Sequence, residues 1–151
     1  MPEQETLRRA REDKREGKSA STQAGEFVRE EMHHIREGKH GAASTKQAIA
    51  IGLSKARRAG VKLGRPPRGA KATTRRSAKS AERAGRKRTK PSPRRSRGAT
   101  RALKREKRSV ASHAALARQA RSAARRRSPR ARSAAAKKAA KTRQRRRRAT
   151  A

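Results

Sequence analysis

Ser44-Thr45-Lys46-Gln47-Ala48-Ile49-Ala50-Ile51-Gly52-Leu53-Ser54-Lys55-Ala56-Arg57-Arg58-Ala59-Gly60-Val61 decides the fold of this chain. It opens on an S-x-x-Q capping box, in which the Ser44 and Gln47 side chains satisfy the first free amides of a helix. Ile49, Gly52, Leu53 and Ala56 then recur at spacings of three and four along one stripe, and Ala48, Ile51 and Ala59 widen it. Gly60 followed by Val61 suits a Schellman ending, with Val61 folding back onto the last turn.

The preceding stretch carries a second helical pattern. In residues 21–38 the apolar positions Ala24, Phe27, Val28, Met32 and Ile35 share one face. Ser21 or Thr22 can cap its start, Glu26 suits the positive end of the dipole, and Gly38 can stop it. Only residues 39–43 separate the two helices, so they should pack as a hairpin. The small face formed by Ala48, Gly52 and Ala56 lets the first helix approach closely. The expected core is Phe27, Val28, Met32, Ile35, Ile49 and Leu53. Such a core is small, and domains of roughly 40 residues usually need disulfides, metals or association. The chain has no cysteine, so self-association is the expected support.

Either side of the hairpin the character changes. Residues 1–20 are polar, with Leu7 as the one packing candidate, and read as a fraying, solvent-facing helix or coil ending near Gly17. Residues 1–61 hold 13 basic and 9 acidic side chains, whereas residues 62–151 hold 35 basic and 2 acidic ones. High charge with few large apolar groups is the signature of disorder, because burial cannot offset chain entropy. Pro66, Pro67, Pro91, Pro93 and Pro129 are expected to break any long helix there. The interval from Thr100 to Arg127 has neither proline nor glycine, but Leu103, Val110 and Leu116 are too sparse to define a buried face. The expected fold class is therefore mostly α and disordered: a polar segment over 1–20, a helical hairpin over 21–61, and a long disordered Arg/Lys/Ala-rich tail over 62–151.

A formal net charge of +37 calls for a polyanionic partner. Phosphates neutralised by Lys or Arg release condensed counterions, which gives strong, salt-dependent binding without sequence reading. The candidate DNA contacts are Lys62, Arg65, Arg68, Arg75, Arg76, Arg86, Lys87, Arg88, Arg94, Arg95, Arg125, Arg126, Arg127, Arg145, Arg146, Arg147 and Arg148. Within Lys62-Leu63-Gly64-Arg65-Pro66-Pro67-Arg68 the Gly-Arg-Pro core resembles an AT-hook, which places an extended Arg in a narrow A·T minor groove. Leu63 departs from that pattern, and a plain Gly/Pro linker is the competing reading. Ser92-Pro93-Arg94-Arg95 and Ser128-Pro129-Arg130 resemble the Ser-Pro-basic turns of histone tails, where a phosphate would loosen binding.

No catalytic constellation is present, and the chain is not expected to be an enzyme. His33, His34 and His40 cluster, and His33 with Glu37 has metal-ligand spacing, but they read as surface histidines and no metal or cofactor is assigned. The N-terminus has no apolar stretch behind it, so neither a secretory signal nor a membrane span is expected. The expected place is the cytoplasm, on the nucleoid. Duplex DNA is favoured over RNA as partner, with homo-oligomerisation through the hairpin. An RNA-binding or ribosome-associated assembly protein, and a partner-docking regulator with a basic anchor, stay open as alternatives.

The pieces Lys46-Gln-Ala-Ile-Ala-Ile51 and Ala56-Arg-Arg-Ala-Gly60, preceded by Met32-His-His-Ile-Arg-Glu-Gly-Lys-His-Gly41, resemble a family of small basic bacterial proteins whose shared domain has no assigned function. The resemblance covers about residues 25–63. It implies a bacterial cytoplasmic protein and transfers no catalytic residues. The basic half separately resembles linker-histone tails and bacterial histone-like proteins in composition.

Overall fold

A computed structural model describes residues 2–67, 69–87 and 92–149, without the side chains of Arg146 and Ala149. Half of the capping box forms as expected, with Ser44 as the cap, while the Gln47 side chain reaches one residue beyond it. Ser44 Oγ accepts from the Gln47 amide at 3.2 Å, while Gln47 Oε1 accepts from the Ala43 amide at 2.7 Å. The helix that follows runs Thr45–Arg58, and it is the third of the chain. Before it come α1 (Gln4–Arg15) and α2 (Ala20–Arg36); α3 is followed by α4 (Ala72–Arg86), α5 (Pro93–Lys104), a 3-10 turn (Ser109–Ala111), α6 (His113–Arg125) and α7 (Pro129–Ala149). No strand occurs among the described residues.

The expectation of a disordered tail is overturned: helices continue through the basic half. Ala, Arg and Lys rank among the best helix formers, so this composition favours helix wherever the chain is not interrupted. Two of the prolines expected to break helices instead start them. Pro93 and Pro129 are the first residues of α5 and α7, where a missing N–H costs nothing. The serines before them cap: Ser92 Oγ accepts from Arg95 N and Ser128 Oγ from Ala131 N. The Ser-Pro-basic motifs are thus helix starts rather than turns.

Three glycines end helices at positive φ, namely Gly17 (68°), Gly38 (79°) and Gly60 (89°). Each closes a Schellman pair, as in Val61 N to Ala56 O at 3.0 Å and Gly60 N to Arg57 O at 3.1 Å. The start of α2 differs from expectation. Ser19, not Ser21 or Thr22, is the cap, accepting from Thr22 N at 3.3 Å.

Residues up to Ala115 form one compact unit, and Leu116–Ala151 form another. The charge step near residue 61 falls inside the first. Of the expected hairpin core, Phe27, Met32 and Ile35 are buried, and Val28, Ile49 and Leu53 are half-buried. The small face of α3 is buried at Ala48, Gly52 and Ala56. A Cβ on Gly52 would stand 2.7 Å from Val28 Cα, so this glycine sets how closely α2 and α3 approach.

Further support for this small core comes from within the chain. Helix α1 packs on α2, burying Ala10 against Ala24, Phe27 and Ala56, with Leu7 beside them. Arg9 Nε pairs with Glu26 Oε2 at 2.8 Å across the same two helices. Helix α4 lies on α3, with Ala81 buried and Gly85 against the Arg57 and Arg58 carbonyls. The end of α5 and the segment after it dock on the end of α2 and the α2–α3 loop. Gly41 N donates to Leu103 O at 2.8 Å, Ala42 N to Lys107 O at 3.1 Å, and Arg36 Nε to Ala111 O at 2.9 Å. A Cβ on Gly41 would collide with Glu106 O.

Under this loop lies a buried polar network. Lys55 Nζ meets Glu30 Oε1 at 3.1 Å and Glu31 Oε2 at 2.7 Å. Glu30 Oε2 accepts from Glu3 N at 3.1 Å. Burial works to raise the Glu30 carboxyl, but the Thr6 hydroxyl, the Glu3 amide and Lys55 outweigh it and hold the group below its ordinary range. The Glu3 carboxyl is also held low, first by its hydrogen bond from His34 and then by Lys39.

Candidate nucleic-acid interface

The cations that the sequence singles out sit mostly on exposed helical surface. Lys62 and Arg65 lie exposed on the irregular segment 61–67, which turns at Val61–Leu63. Leu63, which spoils the AT-hook pattern, packs against the core with Val61, and Arg57 Nη2 donates to Gly64 O at 2.9 Å. One face of this segment is therefore anchored while its two cations point outward. Arg68 and Arg88 lie outside the described residues.

Helix α4 divides by face. Ala78, Ala81 and Gly85 recur at spacings of three and four on the side turned to α3. Arg76, Lys79, Arg83 and Arg86 recur at the same spacings on the exposed side, and Arg75 is exposed beside them. Glu82 Oε1 engages Arg86 Nη2 at 2.7 Å and takes one charge from this face. Lys87 is the exposed C-cap. Arg94 and Arg95 stand exposed in the first turn of α5, which carries Arg97, Arg101 and Lys104 and no acid.

Sequence reasoning missed part of the α6 surface. Arg118, Arg121, Ser122, Arg125 and Arg126 line one shallow groove, of which only Arg125 and Arg126 were expected contacts. The signal was available as the 118, 121, 125 spacing inside a proline-free interval. Arg127 follows in the turn, exposed. Along α7, Arg145, Arg147 and Arg148 are exposed, and Arg146 lies in the helix with its side chain undescribed. Arg130, Lys137, Lys141 and Arg148 align on one face of α7 at spacings of seven, four and seven, flanked by Lys138 and Arg145. From Leu116 onward there are 15 basic residues and no acidic one.

The expected histidine group separates. His33 is exposed, while His34 and His40 turn inward toward Glu31. Phe27, the one aromatic residue, is fully buried, so no aromatic surface is offered for base stacking. No helix among the described residues is long and apolar enough to cross a membrane.

Residues 15–68 match a family of unknown function, DUF6496. The DUF6496 region takes in α2, α3, their loop and the segment after them, and it contains the stretch whose motifs resembled a bacterial family of unassigned function. It stops before α4, so it carries no statement about the basic helices. No curated protein and no solved structure matches the chain.

Proposed function

We propose that this chain is a non-enzymatic, histone-like, nucleoid-associated protein that binds the phosphate backbone of duplex DNA through cationic helix faces, largely without reading sequence. The observation that carries this reading is the 15-to-0 excess of basic over acidic residues from Leu116 onward, on helices whose described cations are all exposed. Helix α7 spans about 31 Å at the usual rise. Along that length one face presents Arg130, Lys137, Lys141 and Arg148, with Lys138 and Arg145 beside them, so several cations can meet phosphates at once. The groove at Arg118, Arg121 and Arg125 adds a second set of donors in the same unit. The outward Lys62 and Arg65 would enter an A·T minor groove as a secondary contact.

The test compares the full-length chain with a variant carrying Lys137→Gln, Lys141→Gln, Arg145→Gln and Arg148→Gln. Fluorescence anisotropy on a mixed-sequence duplex should show more than tenfold weaker binding. The slope of log K against log salt should shrink by about 3–4, at about 0.9 per lost contact. Unchanged duplex affinity would remove α7 from the interface. Tighter binding of structured RNA at matched salt would replace DNA as the partner.

A further inference from the structure

Glu31, His34 and His40 bring one ligand atom each to within 4.8 Å of one another. Glu31 and His34 are one turn apart on α2, and His40 reaches back from the α2–α3 loop. The Glu31 side chain is 1 % exposed, and those of His34 and His40 are 13 % and 14 % exposed. The carboxylate is thus sealed, whereas both imidazoles keep an edge in solvent through which an ion can enter.

The outer contacts fix how each imidazole presents itself. His40 Nδ1 donates to Gly41 O at 3.0 Å, which leaves Nε2 facing Glu31 Oε1 at 3.3 Å. In the neutral ring that nitrogen carries a lone pair, and so does the carboxylate oxygen opposite. Two lone pairs at this distance repel unless a cation lies between them. His34 Nε2 donates to Glu3 Oε1 at 2.7 Å, which leaves its other nitrogen as the acceptor. Metal-binding histidines are typically oriented this way, with the second N–H held by a carboxylate or a backbone carbonyl. Both oxygens of Glu31 are buried without a hydrogen bond, and Lys55 occupies the side of Oε2, leaving Oε1 for the cluster. Two donors about 2.0–2.1 Å from a tetrahedral ion stand about 3.3–3.4 Å apart, which the His40–Glu31 pair already matches.

We propose that Glu31, His34 and His40 form a binding site for a divalent transition metal ion of the zinc class, with Glu3 and the Gly41 carbonyl orienting the two imidazoles. Two nitrogens and one oxygen suit zinc and its neighbours rather than calcium or magnesium. Three protein donors leave a fourth position for water. The local charge accommodates a dication, since Glu3, Glu30 and Glu31 outnumber Lys39 and Lys55 by one. An ion here ties α2 to the loop on which residues 103–107 dock. It would staple a core that is small for its chain.

The experiment titrates tag-free, chelator-treated full-length protein with zinc and with cobalt, followed by calorimetry and by the visible absorption of tetrahedral cobalt. One ion per chain is expected, with a zinc-dependent rise in melting temperature. His34→Gln and His40→Gln should each weaken binding at least tenfold. Glu3→Gln, on the surface and without effect on the core, should weaken it about tenfold. His33→Gln should change nothing. Absence of saturable binding, equal binding by His40→Gln or by Glu3→Gln, or loss of binding in His33→Gln would each overturn the site.

Discussion

Gly52 and Gly25 are both glycines inside helices, yet their surroundings give them opposite roles. A Cβ at Gly52 meets the α2 backbone, whereas one at Gly25 meets open space. Alanine in a helix interior gains up to about 1 kcal/mol over glycine, and forcing atoms into a packed contact costs about 1–3 kcal/mol. Gly25→Ala should therefore raise the unfolding free energy read from denaturation curves by about 0.5–1 kcal/mol, and Gly52→Val should lower it by about 1–3 kcal/mol. Equal effects would mean that α2 and α3 do not approach as described. Glu30 gives a second test at this scale. Its carboxyl is held below its ordinary value, so its stabilisation is present above the unfolded value of about 4.3 and is lost as pH falls through the folded one. Glu30→Gln should destabilise by about 1–3 kcal/mol at neutral pH. Acid denaturation curves of the two proteins should begin to converge below the unfolded value and meet once pH has fallen through the folded one. A constant difference across that range would assign the loss to packing.

Single elements show which signals the sequence carries and which it hides. Helices α2 and α3 were legible because Phe27, Met32, Ile35, Ile49 and Leu53 mark a face with large apolar groups, and Ser44, Gln47, Gly38 and Gly60 mark the ends. Helix α4 was not, because the face it turns to α3 consists of Ala78, Ala81 and Gly85, of which only Ala81 is fully buried. Small residues bury little area and look like low-complexity filler, yet they permit close helix approach. The same discount hid Ala10 of α1, and weighting proline as a breaker hid α5 and α7. The cations were legible as a set, but their sorting into faces needed the helices. Ala81→Leu should strain the α3–α4 contact and cost about 1–3 kcal/mol. The same change at exposed Ala140 of α7 should be near neutral. A null result at Ala81 would detach α4 from α3.

For the whole molecule, +37 means that folding works against self-repulsion. Salt shortens the range of that repulsion to about 10 Å at 0.1 M. The melting temperature should accordingly rise with sodium chloride, and rise further with duplex DNA at low salt. Both trends follow from net charge, whichever residues contact the partner. The measurement that tests the central claim most directly is the salt dependence of full-length binding to a mixed-sequence DNA duplex. Ten phosphate contacts predict a slope near −9 in log K against log salt, about the same for unrelated sequences of equal length. A slope shallower than about −2, or affinity confined to one sequence, would contradict binding by cationic helix faces.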